Sequence, residues 1–530
     1  MASPAEAEGG GGRRGDGLWL PGLILSGAAI LLRLAVASRR EGIEVDGITY
    51  LTNARALLSD FGAFTVLHPP LYSIILTPFL WLSADAEWVA RVVSAVLGGL
   101  WVWPTLWLSR GATDARVAWL AGLLVAVSPS AVEASTRVLS EPIAGLTLTT
   151  FFVVLVRALR TGSLGSAALA GVLGGLTTLS RPEGMAYLAL AWVVLARAPR
   201  LVAWRASRHV LAGLGVLTLV WCAVLFPYMA LVKRETGHWH WSGKVGQTLV
   251  FAESVGDERP GAAMERAITD PAPDVPRTLL DYVLARPREA VKRIAVNLHL
   301  VDKYFAPGLL QSGGIALLAV GLVQLQWRRG PAPPEWFLAI APLPLLGLLL
   351  FVLDARYGTP LVPVLSIIAA IGLRRLGQPD EPSPHLSVRA RILLVVVLLS
   401  FGPWIARPWF RQDPAAVEKQ AGLWIRRSTG PGATFIGRYP VIAHYAEARA
   451  IPFGQRSLDA ALAEGRSLGA RFVVADSVRL PESRPDLLGL VAGARVNPDL
   501  ELAHVEEDRA GRRVVIYQIR DADARRVRTP

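Results

Sequence analysis

The chain has 530 residues, of which 52% are hydrophobic and 18% charged, and a mean hydropathy of +0.40. That balance is too apolar for a soluble protein of this length, so the bulk of the chain belongs in lipid. The formal net charge of +13 does not signal nucleic acid, because the arginines sit in short clusters beside apolar runs and not on one soluble face.

Residues 1–17, with the Gly9 to Gly12 tract and Arg13-Arg14, read as a short disordered cytoplasmic tail. The first apolar run, Leu18 to Ala37, ends in Ala35-Val36-Ala37, which looks like a signal-peptidase site. The run is longer than a usual signal core and carries Arg33, so it reads as a membrane helix. Spanning helices need about 20 mainly apolar residues. Further candidates are Trp88 to Leu108, Val117 to Pro129, Pro142 to Val156, Leu164 to Ser180, Met185 to Leu195 and Val210 to Val232. The series closes with Leu310 to Trp327, Trp336 to Leu353, Thr359 to Leu373 and Ile392 to Ala406. The lone cysteine, Cys222, falls inside one of these runs, which rules out an intramolecular disulfide.

With Arg13-Arg14 cytoplasmic, alternate loops carry Arg110 and Arg116, Arg157 and Arg160, Arg197 through Arg208, Arg328-Arg329, and Arg374-Arg375 with Arg389 and Arg391. The opposite short loops concentrate acids: Glu41, Glu44, Asp46, Asp60, Glu133, Glu141, Glu183 and Asp354. This asymmetry predicts about eleven spans with the C-terminal tail outside. Leu71 to Leu82 is short, broken by Pro78 and entered through His68-Pro69-Pro70, so it reads as interfacial or re-entrant. The predicted organisation is an all-α polytopic membrane bundle over 18–406, including an extracytoplasmic loop at 233–309, followed by a small extracytoplasmic α/β domain at 407–530. In that domain a helix is expected at Pro414 to Ser428 and strands at Ala433 to Gly437 and Arg471 to Ala475. A hairpin is expected from Glu501 to Glu507 and Arg512 to Ile519.

Charges at a membrane boundary are expensive to bury, so acids and arginines gathered on one side form a functional hypothesis. Asp46 and Glu44, in the segment Glu44-Val-Asp-Gly-Ile-Thr-Tyr50, could supply a general base for an acceptor hydroxyl. His68, stiffened by Pro69-Pro70, could hydrogen-bond a substrate or hold a divalent metal with Asp46, although one histidine and one or two carboxylates make an incomplete set. Arg137 beside Glu141, Arg181 beside Glu183, and Arg356-Tyr357 after Asp354 are either local ion pairs bracing the bundle or phosphate-binding forks. His238-Trp-His240-Trp241 and Lys244 read first as an interfacial aromatic belt, with sugar stacking as the alternative. No Walker loop, His-Glu-x-x-His or Gly-x-Ser-x-Gly is found, and no cytosolic nucleotide-binding domain. An enzyme built this way draws on a substrate already activated in the membrane, such as a lipid-linked phosphate ester.

Taken in order, Arg33, Val45-Asp46-Gly-Ile-Thr-Tyr50, His68-Pro-Pro-Leu-Tyr72, Ala90-Arg91-Val92, Leu139-Ser-Glu-Pro142, Leu179-Ser-Arg-Pro-Glu-Gly184 and Ala355-Arg356-Tyr357 resemble the C-type (GT-C) integral membrane glycosyltransferases. The resemblance is to bacterial relatives of the protein O-mannosyltransferase and aminoarabinose transferase group, and runs from about Leu18 to Leu376. It implies a polyprenyl-phosphate sugar donor, an envelope glycan, lipid or protein acceptor, and a site outside the cell membrane. It makes Asp46 the acidic residue of the first outer loop that serves in catalysis, as the base that accepts the acceptor proton; Tyr50, His68, Arg137, Glu141, Arg181, Glu183, Lys244, Arg356 and Tyr357 are the candidate substrate contacts, with Arg181 and Arg356 preferred for the phosphate. Many relatives carry an Asp-Glu pair where this chain has Asp46-Gly47, with its extra acid at Glu44. The Trp-Trp-Asp-Tyr-Gly signature of oligosaccharyltransferases is absent. A lipid-sugar transporter or flippase, or a noncatalytic envelope assembly protein, are the competing classes. A transporter would show midplane charges or paired broken helices in related halves, and the sequence shows neither; convergence of the outer carboxylates and arginines separates the noncatalytic class from the enzyme.

Overall fold

The computed structural model describes residues 18–196, 207–243, 279–325, 334–376 and 386–520, apart from 60, 352, 414, 438, 455, 479 and 494–496. The first half is built from α1 (Trp19–Ala37), α2 (Val45–Ala56), α3 (Leu71–Leu76), α4 (Ala86–Gly99), α5 (Val102–Ala112) and α6 (Ala115–Val127). It continues through α7 (Pro129–Ser135), α8 (Glu141–Thr161), α9 (Leu164–Ser180), α10 (Ala186–Ala196) and α11 (Ser207–Thr236). Among the described residues seven helices are long and apolar enough to cross a membrane, eight if the pair bent by 52° between α6 and α7 counts as one span. Leu164–Ser180, Pro182–Leu195 and Phe337–Leu350 are shorter apolar helices that lie where spans were expected.

Local chemistry explains the breaks. Asp114 caps α6 by accepting from the Arg116 and Val117 amides at 2.8 and 2.9 Å, and Pro129, which has no amide proton, ends it. The carbonyls so released are met by Arg33, fully buried in α1, which donates to Val125 and Ala126 oxygens at 3.3 and 2.8 Å. The expected span Trp88 to Leu108 lies within one candidate span, Ala86–Ala112, with a local turn at Leu100-Trp101, whereas Trp336 to Leu353 is a short α-helix, Pro334–Ile340, followed by a 3-10 segment, Leu343–Leu350. Prolines 342 and 344 at the start of that segment remove amides that an α-helix would use. Leu71 to Leu82 is a six-residue helix and a 3-10 turn, too short to span. Small residues bring α9 against α11: a Cβ on Gly174 would lie 1.9 Å from the Trp221 ring.

From the expected outer loop, Leu279–Ala285 and Pro287–Leu300 are helical and lead through Val301–Phe305 into Ala306–Gln324. The helix Val388–Phe410 runs past the expected boundary at 406. Beyond it, a five-stranded sheet of order β2-β1-β3-β5-β4 uses β1 (Thr434–Ile436), β2 (Arg449–Ile451), β3 (Ala470–Asp476), β4 (Leu500–Glu507) and β5 (Arg513–Ile519). The first three strands are parallel, and β5 pairs antiparallel with β3 and β4. One face packs Phe435, Phe472 and Ile516 against Val417, Ala421 and Ile425 of the helix Ala415–Thr429. The other packs Ile436, Val473 and Tyr517 against Leu462. Both faces are covered, as a sheet with a parallel half requires.

Candidate functional site

Five separate pieces of chain converge. Asp46 lies in the first turn of α2, and Tyr50 one turn on lies on the same face. His68, 5% exposed, precedes the two prolines that open α3. Glu141 is the first residue of α8, where a carboxylate faces the positive end of the helix, and Arg181 follows the last residue of α9. Asp354 caps the short helix Ala355–Gly358 by accepting from the Arg356 amide at 2.9 Å.

The side chains meet as a charged net. Arg356 Nη2 donates to Asp46 Oδ2 at 2.8 Å, and His68 Nε2 stands 3.6 Å from Asp46 Oδ1. Arg181 Nη1 lies 2.6 Å from Glu141 Oε1, whose side chain is 1% exposed, and Arg181 Nη2 lies 3.4 Å from Glu183. Arg356 Nε is 3.9 Å from the same Glu141 oxygen, which joins the two pairs into one site. The Tyr357 ring lies under both guanidiniums, at 4.9 Å from Arg181 and 5.4 Å from Arg356. Tyr50 donates to Ser140 Oγ at 2.9 Å, and burial together with the charges of Asp46 and Glu141 holds its hydroxyl above the usual phenol range, so it stays a neutral donor.

Asp46, Tyr50, His68, Arg181, Glu183, Arg356 and Tyr357 line one wall of a cavity of about 370 Å³, and the buried Glu141 pairs with Arg181 without lining it. The remaining lining is mainly apolar, including Met185, Leu345, Leu348 and Phe351, with Tyr187, Trp241 and Ser242. A mainly apolar cavity with charged groups on one wall is suited to a lipid whose head is a phosphate ester. Tyr187 and the Pro344 to Phe351 segment carried no signal in the sequence, because an apolar residue lining a cavity has the same pattern as one facing lipid.

Two expected members lie elsewhere. Glu44 and Arg137 pair at 3.4 Å and line a second cleft, of about 300 Å³, with Asp413, Asp476 and Arg512 of the C-terminal part. Two residues along an α-helical start turn the side chain by roughly 200°, so Glu44 and Asp46 face opposite ways. Glu44 therefore lies in a different cleft from Asp46, and Arg137 belongs to an ion pair with Glu133 at 2.5 Å as well as with Glu44. Lys244 lies outside the described residues.

The fold is that of the GT-C integral membrane glycosyltransferases. Residues 67–241 match the family model described as dolichyl-phosphate-mannose-protein mannosyltransferase. The structure is similar to the oligosaccharyltransferase of Archaeoglobus fulgidus in its apo form, with TM-score 0.54 and 15% identity over 87% of this chain and 70% of that one. It is similar to ArnT from Cupriavidus metallidurans bound to undecaprenyl phosphate, with TM-score 0.53 and 14% identity over 93% of this chain and 97% of that one. It also resembles a mutant of the arabinofuranosyltransferase AftD from Mycobacteria, with TM-score 0.51 and 14% identity over 94% of this chain and 41% of that one. No curated protein sequence matches the chain.

Proposed function

We propose that the protein is a glycosyltransferase that moves a sugar from a polyprenyl-phosphate carrier to an envelope glycan, lipid or protein acceptor on the extracytoplasmic side of the cell membrane. The observation that carries this reading is Asp46 held 2.8 Å from Arg356 in the lining of a cavity that also has Arg181, itself paired with Glu141, and an apolar wall. The apolar wall takes the first isoprenes, and the arginines take the phosphate.

Of the two arginines, Arg181 is shared between Glu141 and Glu183 and is 11% exposed, whereas Arg356 is 32% exposed. Arg356 is therefore the one that an arriving phosphate recruits. Its turning toward the phosphate frees the Asp46 carboxylate to accept a proton. The acceptor hydroxyl oxygen then attacks the anomeric carbon, its proton passes to Asp46, and the bond from that carbon to the phosphate oxygen breaks with its electron pair going to the phosphate. Arg356 and Arg181 stabilise the charge that grows on the leaving group, where one well-placed donor is worth about 3 kcal/mol. The inward face of Tyr50 and His68 orients the sugar.

Asp46 and His68, 3.6 Å apart, are the two side chains of the site that could hold a divalent metal, a set of two that needs further ligands from substrate or solvent.

The test is incubation of the purified protein in nanodiscs with polyprenyl-phosphate sugars and candidate acceptors, following release of polyprenyl phosphate. The mass of the lipid that copurifies identifies the donor. Movement of the intact lipid between leaflets without cleavage of its sugar bond overturns the proposal in favour of a transporter.

A further inference from the structure

The loop that delivers Asp46 is anchored from two directions. On the bundle side, Arg91 of α4, 6% exposed, donates from Nη1 to the Arg40 carbonyl and from Nη2 to the Gly42 carbonyl, both at 2.7 Å. Its guanidinium also contacts Glu87 Oε1, one helical turn earlier. On the other side stands the C-terminal domain. Tyr445 donates its hydroxyl to Glu87 Oε2 at 2.7 Å, and Lys419 Nζ lies 3.6 Å from the same oxygen and 4.9 Å from the Tyr445 ring. The Glu87 carboxylate thus has one oxygen on the bundle and one on the domain, and it is 11% exposed. Contact is close: a Cβ on Gly42 would lie 2.3 Å from Ala415 Cβ, and the Glu41 amide donates to Asp413 Oδ2 at 3.3 Å.

We infer that Glu87, Arg91 and Tyr445 are positioning residues, a relay by which the docked C-terminal domain sets the loop Arg40 to Glu44 and so the place of Asp46 in the cavity. A charge-assisted hydrogen bond in a buried setting is stiff, and each link has one partner on the next. Arg91 fixes two loop carbonyls, Glu87 fixes the Arg91 fork, and Tyr445 with Lys419 fixes the second Glu87 oxygen. Asp46 follows Gly42 by four residues and opens α2, against which the helix Pro440–Ala446 also packs. The relay touches neither phosphate nor sugar in the proposed reaction, on which this inference rests for its catalytic half.

The test uses the full chain in nanodiscs with Tyr445→Phe, Glu87→Gln and the double variant. Hydrogen exchange of the segment Glu41 to Ile48 is expected to rise about tenfold in each, with α8 and α9 unchanged. kcat for carrier release is expected to fall by a similar factor while the donor KM stays constant, and the double variant is expected to be no worse than Glu87→Gln, since the two act in series. Exchange of Glu41 to Ile48 that stays at the wild-type level in Tyr445→Phe overturns the inference. So does loosening of every segment together, which marks a general loss of stability. A wild-type chain with no transferase activity refutes the proposed reaction and the catalytic half here, and the exchange measurement still decides whether the domain anchors the loop.

Discussion

Replacing Asp46 by asparagine keeps the shape of the side chain and removes its capacity to take a proton. Loss of a general base costs about 10² to 10⁴ in rate, or roughly 3 to 5 kcal/mol of barrier. The cost to folding is far smaller. Asp46 and Arg356 are 21% and 32% exposed, so their 2.8 Å ion pair is partly screened and contributes on the order of 1 kcal/mol. Donor binding is expected to hold or tighten, because Arg356 loses its 2.8 Å competing partner and keeps only the longer carboxylate contacts, to Glu141 and Asp354. The signature is therefore a kcat lowered at least a hundredfold with a melting temperature lowered only slightly and an equal or lower Kd for polyprenyl phosphate. Carrier release in nanodiscs gives the first quantity, and displacement of a labelled prenyl phosphate gives the last. Retention of most of the wild-type turnover would refute the assignment of Asp46 as base. Weakened carrier binding would refute the exchange of Arg356 between carboxylate and phosphate.

Arg181→Ala leaves the Glu141 carboxylate, 1% exposed, without its 2.6 Å partner, and is expected to destabilise the bundle by about 3 kcal/mol. A second change, Glu141→Gln, should recover part of the lost thermal stability, and a failure to recover any would mean that the pair is not coupled. Arg33→Leu strands the carbonyls of Val125 and Ala126 at the end of α6 and is expected to cost roughly 2 kcal/mol, read as a lower melting temperature in detergent. Burial raises the Glu44 carboxyl above the usual carboxylate range, with Arg137 at 3.4 Å offsetting part of the effect. Its contribution to stability is complete at pH below that range and is lost as pH rises through the raised value. Glu44→Gln is expected to flatten that part of the pH–stability curve and to keep turnover within roughly threefold, whereas a base would lose a hundredfold or more.

The sequence by itself determined the membrane bundle, because apolar runs with arginines at alternate ends leave little choice of medium or of helical conformation. It also pointed to Asp46, His68, Glu141, Arg181 and Arg356, since charges at helix ends beside a bilayer are costly to bury; Asp46, His68, Arg181 and Arg356 line one cavity, and Glu141 is joined to them by its ion pairs with Arg181 and Arg356. The strands at Thr434–Ile436 and Ala470–Asp476 and the hairpin of β4 and β5 were legible from turns and alternation. Strand β2, three residues long, was not, because so short a run has no period of its own and exists only by pairing with β1. Only the tertiary structure decided that Glu44 and Asp46 serve different clefts, because the direction of a side chain in a loop depends on where the next helix begins. Only the packing of distant elements decided which residues form the apolar wall, and joined Tyr445 to Glu87 across 358 positions of sequence. No local pattern records such a contact: a tyrosine and a glutamate are each ordinary on a helix surface, and their meeting is a property of how two folded parts dock.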